Sequence, residues 1–441
     1  MATDAPTTRP DPYLSDGTSP PPADFRPAFR GLRCRACGQA AATGPVFVCT
    51  RCLGPLEATY DLPAATRHLS RAAIDARPPT LWRLAELLPV DALPRDGLAV
   101  GFSPLVEAPR LAGRLGLQRL WVKDDSRNPT LSFKDRVVAV AAARAVEFGF
   151  HTLACASTGN LSASVAAAAA ALGLRAVVFV PADLEPAKVA QAQALGATIV
   201  RVNGPYDDVN RLCLELTDEL DGWAVVNVNL RPYYSEGSKT LAFEIAQQLG
   251  WRAPDVVVAP LASGSLYTKL AKGFTELAEV GLIDGGAVTY VGGQAAGCAP
   301  IAIAFAEGTE QWRPVPRPQT VVRSLAIGTP ADGVFALRLA RGSGGAVHGV
   351  EDAETIDAIR LLAETEGILT ETAGGVTLAA LRRSIADGGV KSADEVVLVI
   401  TGNGLKTLDV INDGRLLPEP IAPTFDAFES WWAERQEQLA A

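Results

Sequence analysis

The chain has 441 residues, 48% hydrophobic and only 20% charged, which predicts a folded protein with about three ordinary domains, or two larger ones and an appendage, and excludes a largely disordered chain. A formal net charge of −9 and a pI near 5.1 exclude the clustered Lys and Arg of a nucleic-acid surface, so any anionic ligand needs a local site. The most apolar stretch, residues 161–180, carries Arg175, Ser162 and Ser164 and predicts no membrane span, and the first residues resemble no secretion signal, so a cytoplasmic protein is expected.

Residues 1–29 are rich in Pro, Ser, Thr and Asp without apolar periodicity, the composition of a disordered tail. Residues 30–61 change character: two CxxC pairs, Cys34 with Cys37 and Cys49 with Cys52, stand eleven residues apart, each soon followed by a glycine. Each CxxC turn places two thiolates on one side, and two such turns complete a tetrahedron, so the spacing predicts a zinc-ribbon-like module with a structural zinc ion. His68, His151 and His348 stand in no motif and point to no catalytic metal. The other cysteines, Cys155, Cys213 and Cys298, lie in apolar segments and are expected as buried, reduced thiols.

Beyond about Pro79, short apolar runs alternate with Ala- and Leu-rich helical runs. The strand candidates are TLACA, AVVFV, TIVRV, AVVNV, DVVVAP, VTYVGG and VVLVI, and the helices between them include 136–148, 161–172, 186–195 and 265–280. Apolar runs of this length separated by helices predict an α/β fold with parallel sheet buried on both faces. PVPRPQ (314–319) and GSGG (342–345) read as loops, and no internal repeat is found.

Three strand candidates run into short loops of Gly with Ser, Thr or Asn: STGN (157–160), ASGS (262–265) and TGNG (401–404). At the carboxyl ends of doubly wound strands such loops offer backbone N–H groups and helix dipoles to anions, and three together suggest one phosphate-bearing ligand. In NPTLSFKDR (128–136), Lys134 opens a helix. A lysine is unfavourable at that positive end while Asp135 is favourable there, and cover from Phe133 would add to the conditions that make an amine nucleophilic. Glu371 in TETAGGV stands before a helix and is expected to cap it rather than to face a ligand.

From about Gly101 to Lys406 the chain resembles threonine synthases, in the fold-type II (tryptophan-synthase-like) class of pyridoxal-phosphate enzymes. GFSPLVEA, NPTLSFKDR, ASTGN, NLRPYYSEGSKT, PLASGSLYTK, ETAGGV and TGNGLK occur in that family's order, and the cysteine module ending in GPLEATYD is similar to a leader found in many of its members. The resemblance implies two doubly wound sheet domains, a large cofactor-binding one (62–137 and 240–441) and a small one (138–239). It implies that Lys134 carries the cofactor as a Schiff base and moves protons, with Phe133 beside it, Asn160 at the 3'-hydroxyl and Thr401 at the pyridine nitrogen. Ser263, Gly264, Ser265 and Leu266 would cradle the cofactor phosphate, and Ser157, Thr158 and Gly159 would meet the substrate carboxylate.

The implied reaction converts O-phosphohomoserine and water to threonine and phosphate in a homodimer, and it needs an anion clamp. Arg231 and Lys239 are the candidates, with Ser235 behind them, although Tyr234 stands where one branch of the family has arginine, and Arg231 reads equally as a salt bridge in a connecting loop. Ser103 in GFSPL replaces the more usual threonine. The alternatives are a related lyase, such as a threonine or serine dehydratase or a β-replacement enzyme of a specialised pathway, and a non-catalytic binding protein on the same fold.

Overall fold

The computed structural model describes residues 25–94, 97–157, 159–184, 186–204, 206–412 and 419–440. The expected tail lies outside the described residues as far as residue 24. Its predicted end at 29 is too late, because Ala28 and Phe29 are buried and the Ala28 N–H and carbonyl pair with Glu86 and Asp61.

A three-stranded antiparallel sheet comes first, with β1 (Phe29–Cys34) between β2 (Ala40–Ala41) and β3 (Leu56–Tyr60). Its inner residues Phe29, Leu32, Leu56 and Ala58 share one apolar cluster with Val137, Leu153, Val165 and Tyr233. The module is therefore packed onto the body of the protein. The Tyr233 hydroxyl reinforces this by pairing with the backbone of Gly44.

Two larger sheets follow. The strands β4 (Leu105–Glu107), β5 (Arg119–Asp124), β6 (Thr152–Ala156), β7 (Arg175–Pro181), β8 (Thr198–Val202), β9 (Trp223–Val225), β10 (Val256–Pro260), β11 (Thr289–Ala295), β12 (Ala346–Val350) and β13 (Glu395–Ile400) divide between them. One sheet has the order β12-β11-β10-β13-β5-β4, parallel except for the edge strand β4. The other has the order β8-β7-β6-β9 and is parallel throughout. Every residue of β6, β10 and β13 is buried, as continuous apolar runs require when helices cover both faces. The candidate AVVNV stops early as a strand, at Val225, because Val228 N–H turns back to the Val225 carbonyl. Residues 314–319 form no regular element, as expected, and 342–345 close a helix before β12. Cys155, Cys213 and Cys298 are free and buried.

Two buried charge clusters hold elements that apolar contacts alone would leave unregistered. Arg136 is fully enclosed, and its guanidinium binds both Asp125 and Glu244, while Lys123 on β5 reaches Glu244 at 2.7 Å and Ser103 donates to Asp125 at 2.7 Å. The serine in GFSPL is thus part of this packing. Removing one partner of such a cluster costs about 3–5 kcal/mol because the opposite charge stays buried. In the second cluster, three lysines (239, 269 and 272) are balanced by Glu57, Glu236 and Glu276. Tyr60 on β3 donates to Glu236 at 2.8 Å and Glu57 on the same strand pairs with Lys269 at 2.5 Å, which ties the cysteine module to helices 231–236 and 265–279. Among the described residues, no helix is long and apolar enough to cross a membrane.

Candidate active site

In the six-stranded sheet β10, β13 and β5 are neighbours, so the segments that leave their carboxyl ends lie side by side. These are the ASGS loop, the TGNG loop and the stretch leading to Lys134. Ligands of doubly wound sheets bind at such ends.

Lys134 begins a fourteen-residue helix, Lys134–Glu147. The chain just before it is stitched to the TGNG loop: Phe133 N–H donates to Thr401 O at 2.9 Å, Asn403 N–H donates to Leu131 O at 3.1 Å, and Ser132 pairs with Gly402. The Lys134 ammonium lies 4.8 Å from the centre of the Phe133 ring and 5.9 Å from that of Tyr234, so aromatic faces flank it. Asp135 turns the other way. Its carboxylate accepts from Thr130 N at 2.7 Å and Thr130 Oγ1 at 2.6 Å, fixing the first turn of the helix.

Asn160 starts the helix Asn160–Ala171 after β6, and its Nδ2 donates to Glu371 Oε2 at 2.8 Å. The other Glu371 oxygen is 3.5 Å from Thr401 Oγ1. Glu371 is therefore not the expected cap. It occupies the N-cap position of helix Thr372–Ala386, but its carboxylate makes no capping bond and instead joins Asn160 to Thr401. Gly402 makes this possible, since a Cβ there would collide with the carboxylate. Burial pushes the pKa of Glu371 up, and its bonds to Asn160 and Thr401 and the charges of Lys406 and Lys134 only partly offset this. Lys406 shares the environment: burial lowers its pKa against the pull of Glu371 and Asp135.

On the ASGS side, Gly264 adopts φ +91° at the N-cap of the fifteen-residue helix Ser265–Glu279. The N-cap residue has no side chain to cap this end, Ser263 Oγ accepts from Ser265 N–H at 3.4 Å, and the N–H groups of this first turn are the natural partners of an anion. The Ser263 carbonyl accepts from Asp332 N–H at 2.9 Å, and a Cβ on Gly264 would stand 3.0 Å from the Asp332 carbonyl. Leu266 is buried beneath the loop. On the STGN side, Ser157 is buried with its hydroxyl accepting from Gly159 N–H at 3.3 Å; Thr158 lies outside the described residues.

Arg231 opens the short helix Arg231–Glu236, which also carries Tyr234 and Ser235, and its guanidinium donates to Asp332 at 3.0 Å. Lys239 does not join it. The Lys239 side chain is 0% exposed, with Nζ 2.8 Å from Glu236 and 2.7 Å from Glu276 and 3.8 Å above the Tyr60 ring. An ammonium enclosed by two carboxylates is a structural cation, so the expectation that it clamps substrate is corrected.

The four module cysteines have their Sγ atoms within 4.8 Å of one another, with Cys34–Cys52 at 3.4 Å and Cys37–Cys49 at 3.8 Å. Tetrahedral thiolates about 2.3 Å from zinc would stand about 3.8 Å apart, so this donor set fits a closed zinc site.

Residues 97–402 match the family model described as pyridoxal-phosphate dependent enzyme. A threonine synthase of Methanosarcina acetivorans is 36% identical over 399 residues, covering 90% of this chain and 97% of that protein. The chain belongs to the threonine synthases, a family of pyridoxal-phosphate-dependent enzymes. The threonine synthase of Methanocaldococcus jannaschii is 35% identical over 391 residues, covering 88% of this chain and 95% of its own. The fold is shared more widely: a fungal L-serine ammonia-lyase from Rhizomucor miehei superposes with a TM-score of 0.60 at 21% identity, over 70% of this chain and 96% of that one.

For a threonine synthase family member the residues present fit pyridoxal phosphate. An amine, a helix start with a glycine in the left-handed region as its N-cap, the half-buried amide of Asn160 and the buried side chains of Glu371 and Thr401 surround the sheet's carboxyl edge. Sequence reasoning favoured a capping role for Glu371 over a ligand-side one and did not single out Lys406. The neighbouring motif glycine, Gly402, was the available signal for Glu371, because a glycine is needed wherever a side chain must come that close to the backbone.

Proposed function

We propose that the chain is a threonine synthase, converting O-phosphohomoserine and water to threonine and phosphate, with Lys134 as its covalent anchor and proton carrier. The observation that carries this reading is the joining of the Lys134 segment to the Thr401–Asn403 loop, with Glu371 spanning Asn160 and Thr401 beside it. Pyridoxal phosphate, when bound, supplies the electron sink that acidifies first the α- and then the β-carbon of the substrate.

The protein's own groups would do the rest. The Ser263–Leu266 turn would hold the cofactor phosphate on backbone N–H groups, Asn160 would meet the 3'-hydroxyl, and Thr401 would meet the pyridine nitrogen with a neutral hydroxyl. Phe133 and Tyr234 limit the positions open to the Lys134 amine, which would shuttle protons among the α-, β- and γ-carbons. Glu371, wedged between Asn160 and Thr401, fixes both and adds a carboxyl group within the electrostatic reach of that amine. Ser157 and Gly159, with Thr158, would receive the substrate carboxylate at a helix start, and Arg231 would face the departing phosphate.

The finer points follow from the same features. The cysteine tetrad supports a structural zinc ion, and seven cysteines with no disulfide among those described support a cytoplasmic, reducing location. Exposed Phe425, Phe428 and Trp432 along the C-terminal helix support a homodimer. The division into a large domain (62–137 and 240–441) and a small one (138–239) follows the membership of the two parallel sheets.

The deciding assay offers the purified enzyme O-phosphohomoserine and threonine in parallel. Phosphate release from the first is expected; ammonia release from the second without phosphate release from the first would make the protein a dehydratase instead.

A further inference from the structure

Arg35 stands between the two cysteines of the first CxxC turn, a place from which a long charged side chain ordinarily reaches solvent, yet its side chain is only 16% exposed. It leaves the module and donates through Nη1 to Asp332 Oδ1 at 2.7 Å, with its Cζ 3.9 Å over the Phe335 ring. Arg231 donates to the other oxygen of the same carboxylate, Oδ2, at 3.0 Å. Asp332 is in turn bound by its N–H to the Ser263 carbonyl, within the loop that opens helix Ser265–Glu279. A chain of three groups, Arg35, Asp332 and Ser263, therefore runs from the cysteine module to the glycine-serine turn, with Arg231 joined to it at Asp332.

The charges along it do not balance. The adjoining lysines (239, 269, 272) are matched by Glu57, Glu236 and Glu276, and Glu57, the one other acid paired with Arg35 among the described residues, is 3.7 Å from it but 2.5 Å from Lys269. Two guanidiniums are left with one carboxylate, Asp332, among the described residues. The small cavity between Arg35, Arg231, Ser235, Ser265 and Asp332 has a volume of only ≈ 10 Å³, room for about one water rather than a phosphate. An anion would thus meet this surplus charge at the mouth, where Arg231 is 20% exposed.

We propose that Arg35 is a positioning residue for binding a phosphate monoester dianion, so that the cysteine module is a working part of the active site. The proposal rests on the reaction given above. By sharing Asp332, Arg35 keeps Arg231 from being neutralised and holds its fork in place. Without Arg35, Asp332 and Arg231 would close into a neutral pair, and the departing phosphate would lose its counter-charge.

The test compares wild-type holoenzyme with Arg35→Gln and Arg35→Lys. It measures steady-state kinetics with O-phosphohomoserine, competitive binding of inorganic phosphate and of threonine, and cofactor affinity. Arg35→Gln is expected to raise KM for O-phosphohomoserine and to weaken inorganic phosphate binding, each by roughly tenfold, the loss of one charge-assisted contact. kcat should stay within about twofold, with threonine and cofactor affinities unchanged, and Arg35→Lys should recover most of the phosphate affinity. Should Arg35→Gln not fold, Arg35→Lys decides alone: a small loss confined to phosphate supports the proposal. Unchanged phosphate binding overturns it, as does equal loss of phosphate and threonine. A fall in cofactor affinity without one in phosphate affinity also overturns it, because the anion at Arg231 would then be the cofactor's own phosphate. A wild-type enzyme that releases no phosphate from O-phosphohomoserine, yet binds inorganic phosphate through Arg35, defeats the proposed reaction and leaves the anion site standing.

Discussion

Glu371 is 4% exposed, and among the described residues its carboxylate has an amide and a hydroxyl as direct hydrogen-bond partners, so its charged form is held at a cost that the rest of the fold must offset. Its folded-state pKa is raised. A raised carboxyl pKa stabilises the fold fully below the unfolded value near 4.5, and this contribution is lost as pH rises through the folded value. Above its folded value the ionised Glu371 is therefore a liability for stability. The Glu371→Gln variant, which keeps an acceptor for Asn160, is expected to lose less melting temperature than the wild type as pH rises above 4.5 and to turn over at least roughly tenfold more slowly. Thermal melts and steady-state rates on one preparation check both. A variant that is less stable and fully active would show that the carboxylate serves packing alone.

Among the elements, the strands buried on both faces could be read from sequence because their apolar runs are unbroken, as in β6, β10 and β13. β5 could not, because RLWVKD ends in Lys123 and Asp124, charges that are tolerated inside only because Glu244 and Ser126 bind them. β12 was hidden by His348 and Gly349, and the edge strand β4 by its three-residue length. The site divides in the same way. Lys134, Asn160 and Thr401 lie in local motifs, whereas Glu371 lies 211 residues from its partner Asn160 and Arg35 297 residues from Asp332, beyond any spacing rule. At the scale of an element, the proposed phosphate turn before helix Ser265–Glu279 can be tested. Gly264→Ala places a side chain at φ +91°, a cost of about 1–2 kcal/mol, and brings its Cβ against the Asp332 carbonyl. The variant is expected to bind pyridoxal phosphate at least several-fold more weakly while keeping its secondary structure, as read by cofactor titration and circular dichroism. Wild-type affinity would mean that the turn does not hold the phosphate.

The whole molecule is tied together by buried ions as much as by its apolar layers, and this sets its response to acid. Burial alone would raise the Glu244 carboxyl, but Arg136 and Lys123 outweigh it and hold the pKa at about 2. A lowered carboxyl contributes stability that is present above the unfolded value near 4.5 and is lost as pH falls through the folded value. Denaturant midpoints should accordingly fall between pH 4.5 and about 2, and a variant lacking the cluster charge at position 244 should show a shallower fall. An identical slope in that variant would place the acid sensitivity elsewhere. The same integration gives the cysteine module its place: it is packed onto the small parallel sheet through Phe29 and Leu32 and reaches the glycine-serine turn through Arg35 and Asp332. All of this is organised around one amine at the carboxyl edge of the larger sheet. The most direct measurement is peptide mapping by mass spectrometry after borohydride reduction of the cofactor-saturated protein. A single pyridoxyl adduct on Lys134 is the predicted result; no adduct, or one on Lys406 or any other lysine, would contradict the account.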